Sequence, residues 1–181
     1  MRSLQGALSL IIIILCIGCN SNRDGRYVKK LYGEKIDYGM VMNNPVNRFD
    51  PISDNNDNSV KIVAYVDSML CTTCLLDYLD RASVFLDSLG DARIDYLCII
   101  RPRNNSIGEI QAAFPTIDSL ENVHLLLDTE DQYIKRNALD KVPSHLRCFL
   151  LDKHDRVMLV GDPIRIYEVR QLYKNTILAN R

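Results

Sequence analysis

The stretch from Val60 to Cys74 decides the fold. It begins Val60-Lys61-Ile62-Val63-Ala64-Tyr65-Val66 and ends Cys71-Thr72-Thr73-Cys74. The first part is apolar and rich in β-branched residues, which is typical of a strand buried inside a sheet. Apolar residues then recur at helical spacing through positions 75–89, where Gly90 closes the segment. The sequence therefore predicts a strand, a pair of cysteines with two residues between them, and a helix.

The rest of the chain extends this order to an alternating α/β pattern. We expect strands at residues 93–100, 123–127, 146–151 and 157–160, and helices at 107–114, 130–139 and 164–178. Pro115 is expected to interrupt the first of these helices. Only five residues separate the last two strands, so they must be antiparallel neighbours. The order predicts an α/β domain with a mixed sheet flanked by helices.

The N-terminal residues read as a targeting segment. Arg2 precedes an apolar run at residues 7–17, which is shorter than the roughly 20 residues of a membrane span. The run ends in Gly18-Cys19, followed by polar residues, and this ending resembles the lipobox of bacterial lipoproteins. The resemblance implies that residues 1–18 are a signal peptide and that Cys19 is acylated, which anchors the protein in the cell envelope, facing the periplasm. An uncleaved short anchor and an ordinary secretory leader are the alternatives.

This interpretation divides the chain into three segments. Residues 1–18 are the leader, residues 19–59 a lipidated tether and lead-in with loop-forming residues, and residues 60–181 the folded domain. Within the lead-in, residues 36–42 are a candidate short strand.

The charge balance gives no electrostatic reason to expect a nucleic acid as partner. The chain has 22 basic and 23 acidic residues, and removal of Arg2 with the leader leaves 21 and 23, a net charge of −2.

The element order, the CxxC after the first core strand and a Val-Pro before the last hairpin resemble the thioredoxin fold. More narrowly, they resemble the membrane-tethered TlpA/ResA-like thiol-disulfide oxidoreductases. Val142-Pro143-Ser144 stands where this family has Val-Pro-Thr with a cis proline. The resemblance implies that Pro143 lies against the cysteines and that the Val142 backbone pairs with a substrate chain. It implies protein or small-molecule thiols and disulfides as substrates, an electron donor that the sequence does not name, and no cofactor.

The position of the cysteines suggests their roles. Cys71 is expected in the loop that enters the helix and Cys74, more buried, in its first turn, so that their sulfurs reach bonding distance. A helix N-terminus stabilises a thiolate, which makes Cys71 the attacking and Cys74 the resolving thiol. Asp67 opposes this if it lies close, because a carboxylate disfavours a thiolate.

Two other functions remain open for the motif. A thioredoxin-like binding module could keep Cys71–Cys74 as a structural disulfide. A copper-delivery protein could bind Cu(I) through Cys71, Cys74 and His145, although that class normally has three residues between its cysteines. Once the leader is removed, the mature chain has no second CxxC for a zinc site. Cys98 and Cys148 lie in apolar strands and are expected to be core residues.

Overall fold

A computed structural model of the chain describes residues 23–42, 60–67, 71–90, 94–102 and 107–179. The expected leader, Cys19 and the loop-forming residues expected within 43–59 lie outside the described residues. Among those that are described, no helix is long and apolar enough to cross a membrane.

Five strands form one sheet in the order β3-β2-β1-β4-β5. The strands are β1 (Val60–Asp67), β2 (Ile94–Arg101), β3 (Val123–Leu127), β4 (Cys148–Leu151) and β5 (Val157–Val160). β1 pairs in parallel with β2, and β2 with β3, whereas β4 is antiparallel to both β1 and β5. The predicted mixed sheet is confirmed, and β1 is its central strand.

Helices cover both faces of this sheet. They are α1 (residues 23–31), α2 (Gly39–Met42), α3 (Thr72–Asp87), α4 (Ile107–Ile117), α5 (Gln132–Arg136) and α6 (Tyr167–Ala179), with a 3-10 turn at Ser144–Leu146. The α3-side core contains the buried residues of α3, α4 and α6, together with Ile62, Ala64 and Val66 of β1. The α1-side core contains buried residues of α1, α2 and α5, together with Val63 and Tyr65. Successive residues of β1 thus face opposite cores, as expected for a strand buried on both sides.

The lead-in differs from the sequence expectation. Residues 39–42 are helical rather than extended, so the prediction of a strand at residues 36–42 is wrong. Among the described residues of the lead-in, Lys35 forms an isolated β-bridge with Arg156. Leu31, Ile36 and Val41 are buried in the α1-side core. The packed domain therefore includes residues 23–42, and this part of the lead-in is not a free tether.

The end of α4 also differs from expectation, whereas Gly90 closes the α3 segment as expected. α4 continues through Pro115 to Ile117, and Gly90 follows α3 with a φ of 66°, in the left-handed region that glycine adopts readily. Pro115 and Gln111 both lie on the exposed side of α4, where water can satisfy the carbonyl that loses its helical donor.

Candidate active site

Cys71 and Cys74 lie at the start of α3 and form a disulfide, with 5.4 Å between their Cα atoms. Cys71 is the N-cap residue, in an extended conformation with φ −156° and ψ 148°. The backbone N–H of Cys74 donates to Cys71 Sγ at 3.1 Å, so this sulfur caps the helix. Both cysteine residues are exposed, although the sequence suggested that Cys74 is the more buried of the two.

The charges around the helix start decide how well it stabilises a thiolate. The first turn of α3 carries no acidic side chain, so nothing there offsets the positive end of the helix dipole. Asp67 accepts a hydrogen bond from the Arg147 guanidinium at 3.4 Å, so this carboxylate has a cationic partner. The Glu109 carboxylate accepts a hydrogen bond from Thr72 Oγ1 at 3.4 Å, and its negative charge disfavours a thiolate at this helix start.

A cavity of about 300 Å³ opens beside Cys74. Its walls include Tyr78, His145, Cys148, Asp162 and Ile166. Tyr78 lies four residues after Cys74, which places both on one side of α3. This cavity is a space in which a group bound to the disulfide could lie.

The wall of this cavity contains a buried polar network. The Tyr78 hydroxyl donates to Asp162 Oδ2 at 3.0 Å and lies 2.6 Å from the Tyr96 hydroxyl. Asp162 also accepts from the backbone N–H of Ile164 at 2.8 Å and pairs with Arg165 Nε at 3.3 Å. These contacts hold the start of α6 against α3, which fixes the wall of the cavity.

The remaining thiols have a different character from the exposed pair. Cys98 and Cys148 are free and buried, as the sequence predicted for core residues. Burial raises the pKa of both thiols far above the ordinary value, and the charge of Asp162 adds to this. Both therefore remain protonated and poorly nucleophilic near neutral pH, even though Cys148 borders the cavity.

The structure shows the hydrogen-bond partners of Val142 and the cleft that Pro143 borders. The Val142–Pro143 peptide bond is trans, since the described residues contain no cis peptide bond. The Val142 N–H donates to the Leu139 carbonyl at 3.0 Å, and its carbonyl accepts from Arg147 Nε at 2.8 Å. The N–H of Val142 is thus used inside the protein, and its carbonyl already accepts one of the two hydrogen bonds that it can accept. Pro143 lines a neighbouring cleft of about 460 Å³, and the residues around that cleft do not include the cysteines.

His145 does border the cavity that contains Cys74, as the sequence suggested. Its Nε2 lies 3.0 Å from a carboxylate oxygen of Asp24 in α1. Within the part of the chain that the structure describes, no group of three or more His, Cys, Asp or Glu side chains is placed to hold a metal ion. Cys71, Cys74 and His145 are therefore not brought together as a three-ligand cluster in this disulfide-bonded structure.

The central position of β1, the CxxC at the start of the following helix and the antiparallel β4–β5 pair together define the fold. The domain is thioredoxin-like. No protein-family model and no curated protein sequence matches the chain.

Solved structures similar to this thioredoxin-like domain include three from bacteria. StoA from Bacillus subtilis is 16% identical, with 67% of this chain and 85% of that chain covered and a TM-score of 0.43. A thiol:disulfide interchange protein from Bacteroides sp. is 13% identical, covering 68% and 78% with a TM-score of 0.42. The exposed lipoprotein thioredoxin Etrx1 from Streptococcus pneumoniae is 11% identical, covering 66% and 84% with a TM-score of 0.42.

Sequence reasoning did not identify several residues that build the site. Tyr78 could have been found from its spacing of four residues after Cys74 on a helix. Arg147, Asp162 and Arg165 carry no local signal, because only the folded sheet brings them to the CxxC edge.

Proposed function

We propose that this protein is a lipid-anchored thiol-disulfide oxidoreductase of the cell envelope, with Cys71 as the attacking thiol and Cys74 as the resolving thiol. The observation that carries the proposal is the exposed Cys71–Cys74 disulfide at the N-terminus of α3. Acylation at Cys19 is the proposed anchor, and the thiols and disulfides of envelope proteins are the proposed substrates.

The helix start favours Cys71 as the nucleophile. In the reduced protein, a thiolate at the N-cap faces the free N–H groups of the first turn, among them that of Cys74. The residues Thr72, Thr73 and Cys74 bring no negative charge to the first turn, although the Glu109 carboxylate beside Thr72 opposes the effect of the helix dipole. Exposure of Cys71 then lets a substrate disulfide approach its sulfur.

The proposed reaction proceeds through two exchanges. The Cys71 thiolate attacks one sulfur of a substrate disulfide, the substrate S–S bond breaks, and one substrate thiolate leaves. Cys74 loses its proton and attacks Cys71 Sγ, which forms the Cys71–Cys74 bond and releases the second substrate thiolate. The substrate gains two electrons and two protons, and the protein dithiol is oxidised. An external dithiol donor restores the reduced protein by the same exchanges in reverse.

The loop closed by the disulfide argues against a purely structural role. The two cysteines are three residues apart in sequence, and the chain-entropy model assigns such a short loop only about 2 kcal/mol of stabilisation. A disulfide that holds a small exported domain together typically contributes 2–5 kcal/mol. The Cys71–Cys74 bond can therefore open and close without large changes in the free energy of unfolding.

Trapping of the mixed disulfide tests the assignment. Cys74→Ser removes the resolving thiol, so covalent adducts that a reductant releases should accumulate in the envelope fraction. Cys71→Ser should give few adducts, and Cys148→Ser, which removes a buried thiol bordering the same cavity, should behave like the wild type. Equal trapping by the Cys71 and Cys74 variants would contradict the proposal and favour the binding module.

A further inference from the structure

Helix α1 carries an unusual concentration of positive charge. Residues 23–35 contain five basic side chains (Arg23, Arg26, Lys29, Lys30 and Lys35) and two acidic ones (Asp24 and Glu34), a net charge of +3. The chain from Cys19 onward has a net charge of −2, so the remainder has −5. The charges of the two parts differ in sign, and the positive part is confined to one surface segment.

The structure shows which side of α1 is free. Leu31 is buried in the α1-side core and Tyr27 is partly buried against it. Arg26, Lys29 and Lys30 are exposed, and none of them forms an ion pair with any other described residue. The exposed basic face of α1, defined as Arg23, Arg26, Lys29 and Lys30, is therefore open to an external partner.

Apolar groups lie beside these charges. Val28 is 36% exposed, and Tyr32, which follows the end of the helix, is 69% exposed. A helix with basic residues over an exposed face and an aromatic ring at its flank is suited to the interface between lipid headgroups and acyl chains.

The chain that precedes α1 limits how far it can lie from the anchor. Cys19 is four residues before Arg23, and four extended residues span at most about 14 Å. A lipid on Cys19 thus holds the first turn of α1 within a short distance of the bilayer surface. A single lipid signal is commonly reinforced by a second one, and a basic segment next to the acylated residue is such a signal.

We propose that the exposed basic face of α1 binds the headgroups of anionic phospholipids. This contact lays α1 along the membrane surface. Asp24 of α1 lies 3.0 Å from His145, and His145 borders the cavity beside Cys74. The bound helix therefore holds the CxxC edge close to the bilayer, where thiols of membrane-anchored proteins are the nearest substrates. The closeness to the anchor rests on the proposed acylation of Cys19, whereas the charge complementarity does not.

Amide hydrogen exchange tests this surface in the full protein as cells produce it. The protein is bound to vesicles of phosphatidylcholine alone or with 30% phosphatidylglycerol, and exchange is followed in residues 23–31. We expect at least about fivefold slower exchange on the anionic vesicles, and loss of the difference at high salt. Arg26→Glu/Lys29→Glu should remove the difference. The matched control is Arg81→Glu/Lys174→Glu, which makes the same charge change on α3 and α6 across the sheet and should keep it.

Two further measurements separate this proposal from the proposed function. Turnover of a small soluble disulfide in the same samples should be equal in the wild type and in Arg26→Glu/Lys29→Glu, because neither substituted residue lines the cavities that Cys74 borders. If mass spectrometry finds Cys19 unmodified, the same vesicles are used in sedimentation, where Arg26→Glu/Lys29→Glu should weaken anionic binding by about 30-fold or more. Equal exchange on both vesicle types, or protection of residues 23–31 only by an acidic protein, would overturn the proposal.

Discussion

Cys98 and Cys148 lie on the two sides of Ala64 in the sheet. Cys98 pairs with Ala64 from the parallel strand β2, and Cys148 pairs with it from the antiparallel strand β4. Both side chains belong to the α3-side core. Their Cα atoms are two strand spacings of about 4.8 Å apart. This distance exceeds the roughly 7 Å between Cα atoms beyond which two cysteines cannot form a disulfide. The two buried thiols therefore cannot form a disulfide with each other in the folded protein.

The first prediction concerns thiol reactivity. After reduction, an alkylating reagent should modify Cys71 and Cys74 of the native protein, and Cys98 and Cys148 only after unfolding, because burial keeps the latter two protonated and inaccessible. Peptide mass mapping without reductant should show one disulfide, Cys71–Cys74. Modification of Cys148 in the native protein at the rate of Cys71 would contradict the assigned burial.

The second prediction concerns the stabilising effect of the disulfide. Replacing both Cys71 and Cys74 by Ala should lower the free energy of unfolding by no more than about 2 kcal/mol, because the closed loop is short. Urea unfolding of the double variant and of the reduced wild type measures this. A loss of about 4 kcal/mol or more in both samples would identify the bond as structural.

The third prediction concerns alkaline pH. Burial raises the pKa of Tyr78, Tyr96 and Tyr173 well above the ordinary value of 10.0. Above about pH 10 the unfolded chain releases these protons and the folded protein keeps them, so the free energy of unfolding falls by about 1.4 kcal/mol per pH unit for each tyrosine. The stabilisation from these buried tyrosines is complete below about pH 10, and it is lost as the pH rises toward their pKa values in the folded protein.

Urea unfolding between about pH 8 and pH 11 checks this slope. Tyr96→Phe should reduce it, since one raised pKa is removed. Tyr167→Phe should leave it unchanged, because Tyr167 is 67% exposed. A flat profile up to pH 11 would show that the buried hydroxyls are not desolvated as described.

The fourth prediction concerns Arg147. Its guanidinium donates to the Val142 carbonyl at 2.8 Å, contacts Asp67 and lies 5.9 Å above the centre of the Tyr65 ring. Arg147→Ala should lower the free energy of unfolding by about 1–3 kcal/mol, because it leaves a buried carbonyl without its donor. Arg81→Ala is the control, since its ion pair with Asp77 is exposed and should contribute less than about 1 kcal/mol. Equal effects of the two substitutions, measured by urea unfolding, would contradict this account.

The fifth prediction concerns the anchor. Cys19→Ser should abolish acylation and move the protein from the detergent phase to the aqueous phase in phase separation. Intact mass measurement should show the loss of the lipid. A variant that still partitions with membranes at unchanged mass would refute lipid attachment at Cys19.

Local patterns in the sequence were sufficient for the central part of the fold. β1, the CxxC and α3 follow one another within 28 residues, from Val60 to Asp87, and each has its own pattern of spacing. The lead-in could not be predicted in the same way. Asp37 accepts from the Gly39 N–H, and its own N–H donates to Asn137, a hundred residues away, so helix α2 begins where the sequence alone suggests a strand.

The site shows the same division between local and distant contacts. The cysteine pair and the neighbourhood of His145 were predicted, because the CxxC lies at a helix start and His145 follows the Val-Pro turn. The hydrogen bond at the Val142 carbonyl was not predicted, because it depends on the side chain of Arg147, which reaches back five residues in the sequence. The Tyr78–Asp162 contact joins residues 84 positions apart and has no sequence signature.

The central position of β1 also determines when the sheet can be completed during synthesis. A nascent chain emerges with its N-terminus first, and β1 can pair with β2 once residue 101 is available. Its other edge pairs with β4, where Ala64 meets Cys148 across 84 positions. That edge stays open until most of the polypeptide has been made, and an open strand edge is prone to pair with other chains. Premature termination before β4 should therefore produce fragments that aggregate rather than fold.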